Sequence, residues 1–138
     1  MITPEDIKEI MGRKAKEVCD TVVEDNRANA TDEKVTQFIV VSLPYSAMNK
    51  TVGEDDDWWV DMTVVYEAYV ADKKSANKPN RTDSKAMKKL RQDIFDLFPI
   101  VDEEKGVKIT RPRTIINSAS DGRAFHFTRI QARMTTMV

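Results

Sequence analysis

One stretch of the chain, from Trp58 to Val70, restricts the fold more than any other segment because its apolar residues recur at every second position. They are Trp58, Val60, Met62, Val64, Tyr66, Ala68 and Val70. A period of two is that of a β-strand with one face on a core, whereas a helix would need a period near 3.6. The stretch therefore predicts one long strand, with Trp59 and Tyr69 on its second, mixed face.

Helical and strand signals precede this strand. Thr3 and Pro4 form a helix start, and an apolar stripe at three- and four-residue steps predicts a first helix over Pro4–Asp25. The β-branched run KVTQFIVVSL, residues 34–43, predicts a strand that ends before Pro44.

A second helix and a closing hairpin follow a polar connector at residues 72–81, which shows neither a strand nor a helix pattern. Thr82 or Asp83 can cap the helix, and Pro99 ends it. Residues 107–117 and 123–134 predict two antiparallel strands joined by a turn that contains Asp121-Gly122.

The last two strands carry signs of irregularity. Pro112 predicts an edge position or a bulge, because proline cannot donate to a ladder. The alternation of the fourth strand slips between Phe127 and Ile130, which predicts a bulge there.

The element order is therefore α-β-β-α-β-β. It predicts a single α+β domain over residues 1–138, with a mostly antiparallel four-stranded sheet and two helices packed on one face.

Composition excludes several classes of protein. The 138 residues include 22 basic and 23 acidic side chains, so the net charge of −1 supplies no global field for nucleic acid. The lone Cys19 excludes an internal disulfide, and its place on the apolar stripe predicts a small core residue. The N-terminal sequence lacks the layout of a secretion signal, and no apolar run reaches the ~20 residues of a membrane span, so we expect a cytosolic product.

No segment carries the pattern of a catalytic, metal or cofactor site. The acidic run Glu54–Asp57 lacks the alternating acids and central glycine of a calcium loop, and a magnesium-dependent hydrolase that uses Asp55, Asp56 and Asp57 stays an alternative. His126 is the only histidine, no nucleophile is identifiable beside it, and the 4 glycines form no phosphate loop. We expect no enzyme activity, no metal and no cofactor.

The basic residues support an alternative, a small nucleic-acid-associated module. Lysines and arginines are concentrated in the 73–91 region, and five arginines decorate the last hairpin: Arg111, Arg113, Arg123, Arg129 and Arg133. Such a patch could contact phosphates, but the equal number of acids dilutes its field.

Separated blocks of opposite charge favour instead a contact between subunits, because complementary charge selects orientation and register. The predicted interface combines the acidic run, the second face of the long strand, and basic residues of the second helix and last hairpin. Its members are Asp55, Asp56, Asp57, Trp59, Tyr69, Lys88, Arg111 and Arg129.

Over nearly its whole length the chain resembles the tail-terminator and tail-completion (minor tail) proteins of tailed bacteriophages and related prophages. The segments that carry the resemblance are the helix Pro4–Asp25, the strands KVTQFIVVSLP and WWVDMTVVYEAYVAD, the helix SKAMKKLRQDIFDLFP and the pair KITRPRTIINSASDGRAFHFTRIQARM. That family has no catalytic or metal motif, so the resemblance assigns no functional residue.

The resemblance implies a non-enzymatic structural protein that forms a ring, of six copies, which caps the tail tube or joins it to the head. The implied partners are further copies of the chain, tail-tube proteins and head-completion proteins, with no membrane partner. The implied locations are the bacterial cytoplasm during assembly and then the virion tail.

Overall fold

The computed structural model describes residues 3–24, 35–43, 61–75 and 78–136. Over these ranges the chain is α+β, with a six-stranded mixed sheet that is curled into a half-barrel, a separate two-stranded sheet and two helices. Within the same ranges, no helix combines the length and the apolar character that crossing a membrane requires.

The first helix, α1, covers Pro4–Ala15 and begins with the predicted cap. The Thr3 hydroxyl accepts a hydrogen bond from the Asp6 N–H, and the Asp6 carboxylate accepts one from the Thr3 N–H at 3.0 Å. This reciprocal pair satisfies two amide groups that the helix itself leaves unpaired.

The helix ends ten residues earlier than the sequence predicts. Val22–Glu24 is a strand, β1, and it pairs in parallel with the next strand, with Val22 opposite Ile39. The apolar spacing through Val18 and Cys19 fits a helix, but a turn followed by a strand buries the same side chains. Because β-branched valines gain from a ladder and lose rotamer freedom in a helix, the strand is favoured.

The remaining elements follow in chain order. They are β2 (Gln37–Ser42), β3 (Asp61–Ala71), β4 (Lys73–Ser75), β5 (Lys78–Arg81), α2 (Ser84–Phe95), β6 (Ile100–Asp102), β7 (Val107–Ser120) and β8 (Phe125–Thr136). The large sheet has the order β1-β2-β3-β8-β7-β6, and β4 pairs with β5.

The prediction of a four-stranded sheet is therefore wrong. All four predicted strands are present, but β1 and β6 extend the sheet to six strands, and the β1–β2 pairing makes it mixed. Each added strand is three residues long, too short to produce a periodic pattern. The connector at 72–81, expected to have no regular structure, forms the β4–β5 hairpin.

The main core lies between the helices and one face of the sheet. The even-numbered β3 residues from Met62 to Val70 belong to it, as do Ile7 of α1 and Leu90 of α2. Cys19 is buried in the same cluster, as predicted. The period of two in β3 thus identified the core face correctly.

One hydrogen bond joins α1 to the sheet, and another caps the start of α2. The Tyr66 hydroxyl donates a 2.7 Å hydrogen bond to the Met11 carbonyl of α1. Asp83, one of the two predicted caps, accepts a hydrogen bond from the Ala86 N–H at the start of α2.

The strand β7 is irregular because it contains extra residues relative to its partner β8. Between Thr110 and Arg113 it advances three residues while β8 advances two, so one residue is bulged. Arg111 lies in this bulge with φ 57° and Pro112 follows it. The prediction of an irregular position at Pro112 is confirmed.

The predicted bulge in β8 is wrong. Ladder pairs between β8 and β3 run without a break from Phe125 to Thr135, and the other extra residues lie on β7, between Thr114 and Ala119. The apparent slip in the β8 pattern is Thr128, a buried polar residue on the core face.

Candidate functional site

The eight residues of the predicted interface have different environments. Asp55, Asp56, Asp57 and Trp59 lie outside the described residues. Lys88 on α2 and Arg111 on β7 are exposed, and Arg129 on β8 is half-buried.

Tyr69 is covered by the chain itself, with an exposed fraction of 8%. Its ring stacks on Phe38 of β2 at 4.6 Å between centroids and on Phe127 of β8 at 5.1 Å. These rings form, with Val40 and Phe125, a second apolar cluster on the face of the sheet opposite the main core. We call this second face the outer face, and little of Tyr69 on it is left for a partner to contact.

The middle of the outer face holds an ion pair across β3 and β8. The Arg129 guanidinium donates two hydrogen bonds to one carboxylate oxygen of Glu67, at 2.6 and 2.9 Å. It also lies 5.9 Å from the centre of the Phe127 ring. Arg129 therefore has partners within its own chain.

Beyond this pair, the outer face becomes basic. An open cavity of about 430 Å³ is lined by Met62, Thr63, Arg111, Arg113, Gln131, Ala132 and Arg133. We call it the basic cavity, because it brings together three arginines and, among the described side chains, no acid lines it. Only Arg111 of these three belonged to the predicted interface.

A second cavity of about 380 Å³ lies at the sheet edge, where α2 ends. Its lining is Phe95, Phe98, Pro99, Lys108, Thr110, Arg111 and Pro112, and we call it the apolar cavity. Arg111 lines both cavities, so the basic cavity and the apolar cavity are adjacent.

One unfavourable feature of the basic cavity is an uncompensated charge. Arg113 pairs in the ladder with Gln131, and its side chain makes no ion pair or hydrogen bond to the described residues. An anion placed beside Arg113 would compensate this charge.

Arg111 adds a second unfavourable feature. A non-glycine residue in the left-handed region costs roughly 1–2 kcal/mol. The side chains of Arg111 and Arg113 make no ion pair or hydrogen bond to the residues that the structure describes. Local strain and unpaired charge at one place are typical of a functional site, where a partner supplies the compensation.

The edge of β7 is a different kind of candidate surface, since β6 pairs with it only at Val107–Ile109. No other described strand covers the remainder, and Ile115 there is 42% exposed. Bulges, charged residues and Pro112 all protect an edge against strand addition. The side chains of this region, rather than its backbone edge, are therefore the better candidate for contact.

The only histidine of the sequence, His126, has an acidic partner but no bonded nucleophile among the described residues. His126 Nδ1 shares a hydrogen bond with Asp72 Oδ1, and both groups are largely buried. Ser120 is opposite His126 in the ladder, but its hydroxyl accepts from the Gly122 N–H and makes no described bond to the imidazole. In the described ranges, no three His, Cys, Asp or Glu side chains lie close enough together to hold a metal ion.

The basic 73–91 region is partly neutralised by its own acids. Lys73 lies 3.8 Å from Asp83, and Lys89 lies 2.7 Å from Asp93. The Arg91 guanidinium donates to the Asn117 carbonyl at 2.6 Å and is used in packing α2 on the hairpin. These contacts weaken this region as a phosphate-binding surface.

A comparison of the chain with protein-family models and with curated proteins finds no match.

The sequence contained one signal that could have pointed to Arg113 and Arg133 as cavity residues, namely that both belong to the five arginines of the last hairpin. Their convergence depends on the β7 bulge, which cannot be located to the residue from the sequence.

Proposed function

We propose that this chain is a non-enzymatic structural subunit that associates with copies of itself into a ring, as phage tail terminators do. The observation that carries the proposal is the basic cavity beside an apolar cavity. In the basic cavity Arg111 has a left-handed backbone conformation, and Arg111 and Arg113 lack partners among the described residues. Such a surface suits a protein partner that brings both negative charge and apolar side chains.

The resemblance in the order and character of the sequence segments supports the more specific role. In that role the ring caps the tail tube or joins it to the head, and its partners are tail-tube and head-completion proteins. The six-stranded sheet departs from the four-stranded expectation, so the proposal depends on the surface and the sequence segments and not on the predicted sheet.

Size-exclusion chromatography with multi-angle light scattering tests the self-association. We expect the mass to rise with concentration above the 15.8 kDa of one chain towards a closed multiple of it. Binding to the tail-tube protein encoded in the same genome, measured by biolayer interferometry, tests the role in the tail. A chain that remains monomeric at millimolar concentration and does not bind the tube protein would refute the proposal.

The basic cavity also favours a second candidate, contact with nucleic acid. Lys108 and three arginines on one surface could neutralise phosphates despite the net charge of −1. Fluorescence anisotropy with a labelled duplex at ~50 mM salt, where phosphate contacts are strongest, decides the point. Binding that falls steeply with salt and is lost in Arg111→Gln/Arg113→Gln would favour this candidate over the ring.

A further inference from the structure

We propose that the basic and apolar cavities around Arg111 together bind the segment Glu54–Trp59 of a second copy of this chain. The inference rests on the self-association proposed above and names the contact that would produce it. It follows from the chemistry of the two cavities and from the sequence of the segment.

The two cavities define what a ligand must provide. The basic cavity needs several negative charges, because three arginines line it and two of them lack partners among the described residues. The apolar cavity needs a large apolar group, because Phe95, Phe98 and two prolines form much of its wall. Arg111 joins them, so the charged and apolar parts of the ligand must be adjacent.

One segment of the chain provides both parts in adjacent positions. Residues 54–59 read Glu-Asp-Asp-Asp-Trp-Trp, the longest run of acids in the sequence followed at once by both tryptophans. The next-longest run of acids, Asp102-Glu103-Glu104, is followed by Lys105 and Gly106 and offers no aromatic group. The first segment therefore matches the two cavities in charge and in polarity, and its two parts are adjacent as the cavities are.

The two halves of the contact would contribute differently. Carboxylates placed beside Arg111 and Arg113 compensate the two charges that lack partners among the described residues, and they orient the segment. Tryptophan is among the residues that contribute most to binding when buried in a pocket at an interface. Charge would thus set the register, and the indole rings would supply most of the affinity.

The contact implies a head-to-tail arrangement. The donor segment and the residues that line the acceptor cavities are different stretches of the sequence. In the proposed contact each copy would donate to one neighbour and accept from the other. Repetition of such a heterologous contact closes into a ring when the rotation between copies permits. The proposal therefore explains how one small subunit could form the ring without a symmetric dimer interface.

A charge exchange between two variants tests the contact directly. In the first variant the acids are reversed, as Asp55→Lys/Asp56→Lys/Asp57→Lys, and in the second the arginines are reversed, as Arg111→Glu/Arg113→Glu. Each variant alone should stay monomeric in light scattering, because its segment and its cavity now repel those of its own copies. An equimolar mixture should recover the mass of the wild-type assembly, because each variant complements the other.

The results separate this contact from the proposed function. If the wild type assembles and the reversed variants assemble equally well, the subunits meet elsewhere and the inference is wrong, while the proposed function stands. If the mixture fails to recover, the segment does not bind a second copy, and docking within one chain would give this result. A wild-type chain that assembles neither alone nor with the tail-tube protein overturns both.

A peptide measurement decides the matter if a reversed variant does not fold. A labelled peptide of residues 52–60 should bind the full-length chain in fluorescence anisotropy. Arg111→Gln/Arg113→Gln should weaken it about fivefold or more, since each exposed charge pair contributes a factor of roughly two to five. Arg123→Gln is the matched control, because this exposed arginine lies in the turn between β7 and β8 and lines neither cavity.

Two altered peptides distinguish the two cavities. Replacing the three aspartates of the peptide with asparagine should abolish the difference in peptide affinity between the wild-type protein and Arg111→Gln/Arg113→Gln. Replacing both tryptophans with alanine should weaken binding to both proteins alike. No binding of the original peptide, or equal weakening by Arg123→Gln, would overturn the inference.

Discussion

Replacing Tyr66 with phenylalanine removes one oxygen atom from the joint between α1 and the sheet. The Tyr66 side chain is 1% exposed, and its hydroxyl donates a 2.7 Å hydrogen bond to the Met11 carbonyl. A neutral hydrogen bond contributes ~1 kcal/mol net, and a buried carbonyl that loses a donor adds to the loss. We expect Tyr66→Phe to lower the free energy of unfolding by about 1–2 kcal/mol and Tm by several degrees.

The same residue gives a prediction for high pH. Burial raises the pKa of Tyr66 above its ordinary value of 10.0, and the negative charge of Glu17 raises this pKa further. Above pH 10 the unfolded chain therefore loses the phenol proton while the folded chain keeps it. The contribution of Tyr66 to stability is complete below pH 10 and falls by up to ~1.4 kcal/mol per pH unit above it.

Urea denaturation followed by circular dichroism, at pH 8 and at intervals above pH 10, measures both effects. The advantage of the wild type over Tyr66→Phe should be largest at pH 8 and shrink as the pH rises above 10. A difference within ~0.5 kcal/mol at pH 8, the range of ordinary surface substitutions, would refute the placement of α1 on Tyr66. A difference that does not change with pH would refute the burial of its hydroxyl.

Three further predictions concern other contacts. A double-mutant cycle of Glu67→Gln and Arg129→Gln should give a coupling of ~1 kcal/mol in the free energy of unfolding, measured by denaturation. A coupling of zero would mean that the two side chains are solvated separately. The hydrogen bonds from the Thr3 N–H and then from Lys105 lower the pKa of Asp6 below its ordinary value of 3.8. The stabilisation that the Asp6 carboxylate gives the folded chain is therefore present above pH 3.8 and is lost as the pH falls through the lowered pKa. Asp6→Asn should therefore lower the free energy of unfolding by ~0.5 kcal/mol at pH 7 and leave it unchanged in strong acid. An equal loss at the two pH values would contradict this prediction. Thr128→Val should lower the free energy of unfolding by about 1–2 kcal/mol. The Thr128 hydroxyl donates to the Ile116 carbonyl of β7 and accepts from Arg91 of α2, and valine can do neither. An unchanged Tm in thermal denaturation would contradict this prediction.

The sequence predicted those elements whose signal is local and long. Eleven residues of β3 alternate strictly enough to identify the core face from Met62 to Val70. The caps Thr3 and Asp83 were predictable because each side chain bonds an N–H three residues ahead, which depends on nothing distant.

The elements that were missed depend on partners far away in the chain. Val22–Glu24 is a strand only because Ile39–Val41 lies beside it in parallel, and no local pattern announces that pairing. The three residues of β6 need the start of β7 in the same way. Periodicity over so short a stretch fits a helix and a strand equally well.

The residues that line the basic cavity were only partly foreseen from the sequence. Charge blocks predicted Arg111 as an interface residue, which stays a prediction, and Pro112 indicated the irregular strand beside it. The bulge that aligns Arg113 and Arg133 with Arg111 depends on the register between β7 and β8. Tyr69 was predicted as an interface residue, but the rings of Phe38 and Phe127 on neighbouring strands cover most of it.

Native mass spectrometry of the full-length chain at high concentration, alone and with tail-tube protein from the same genome, tests the central claim most directly. We expect one closed assembly of six copies, about 95 kDa for a chain of 15.8 kDa, in at least one of the two samples. A single-chain mass in both samples would contradict the account.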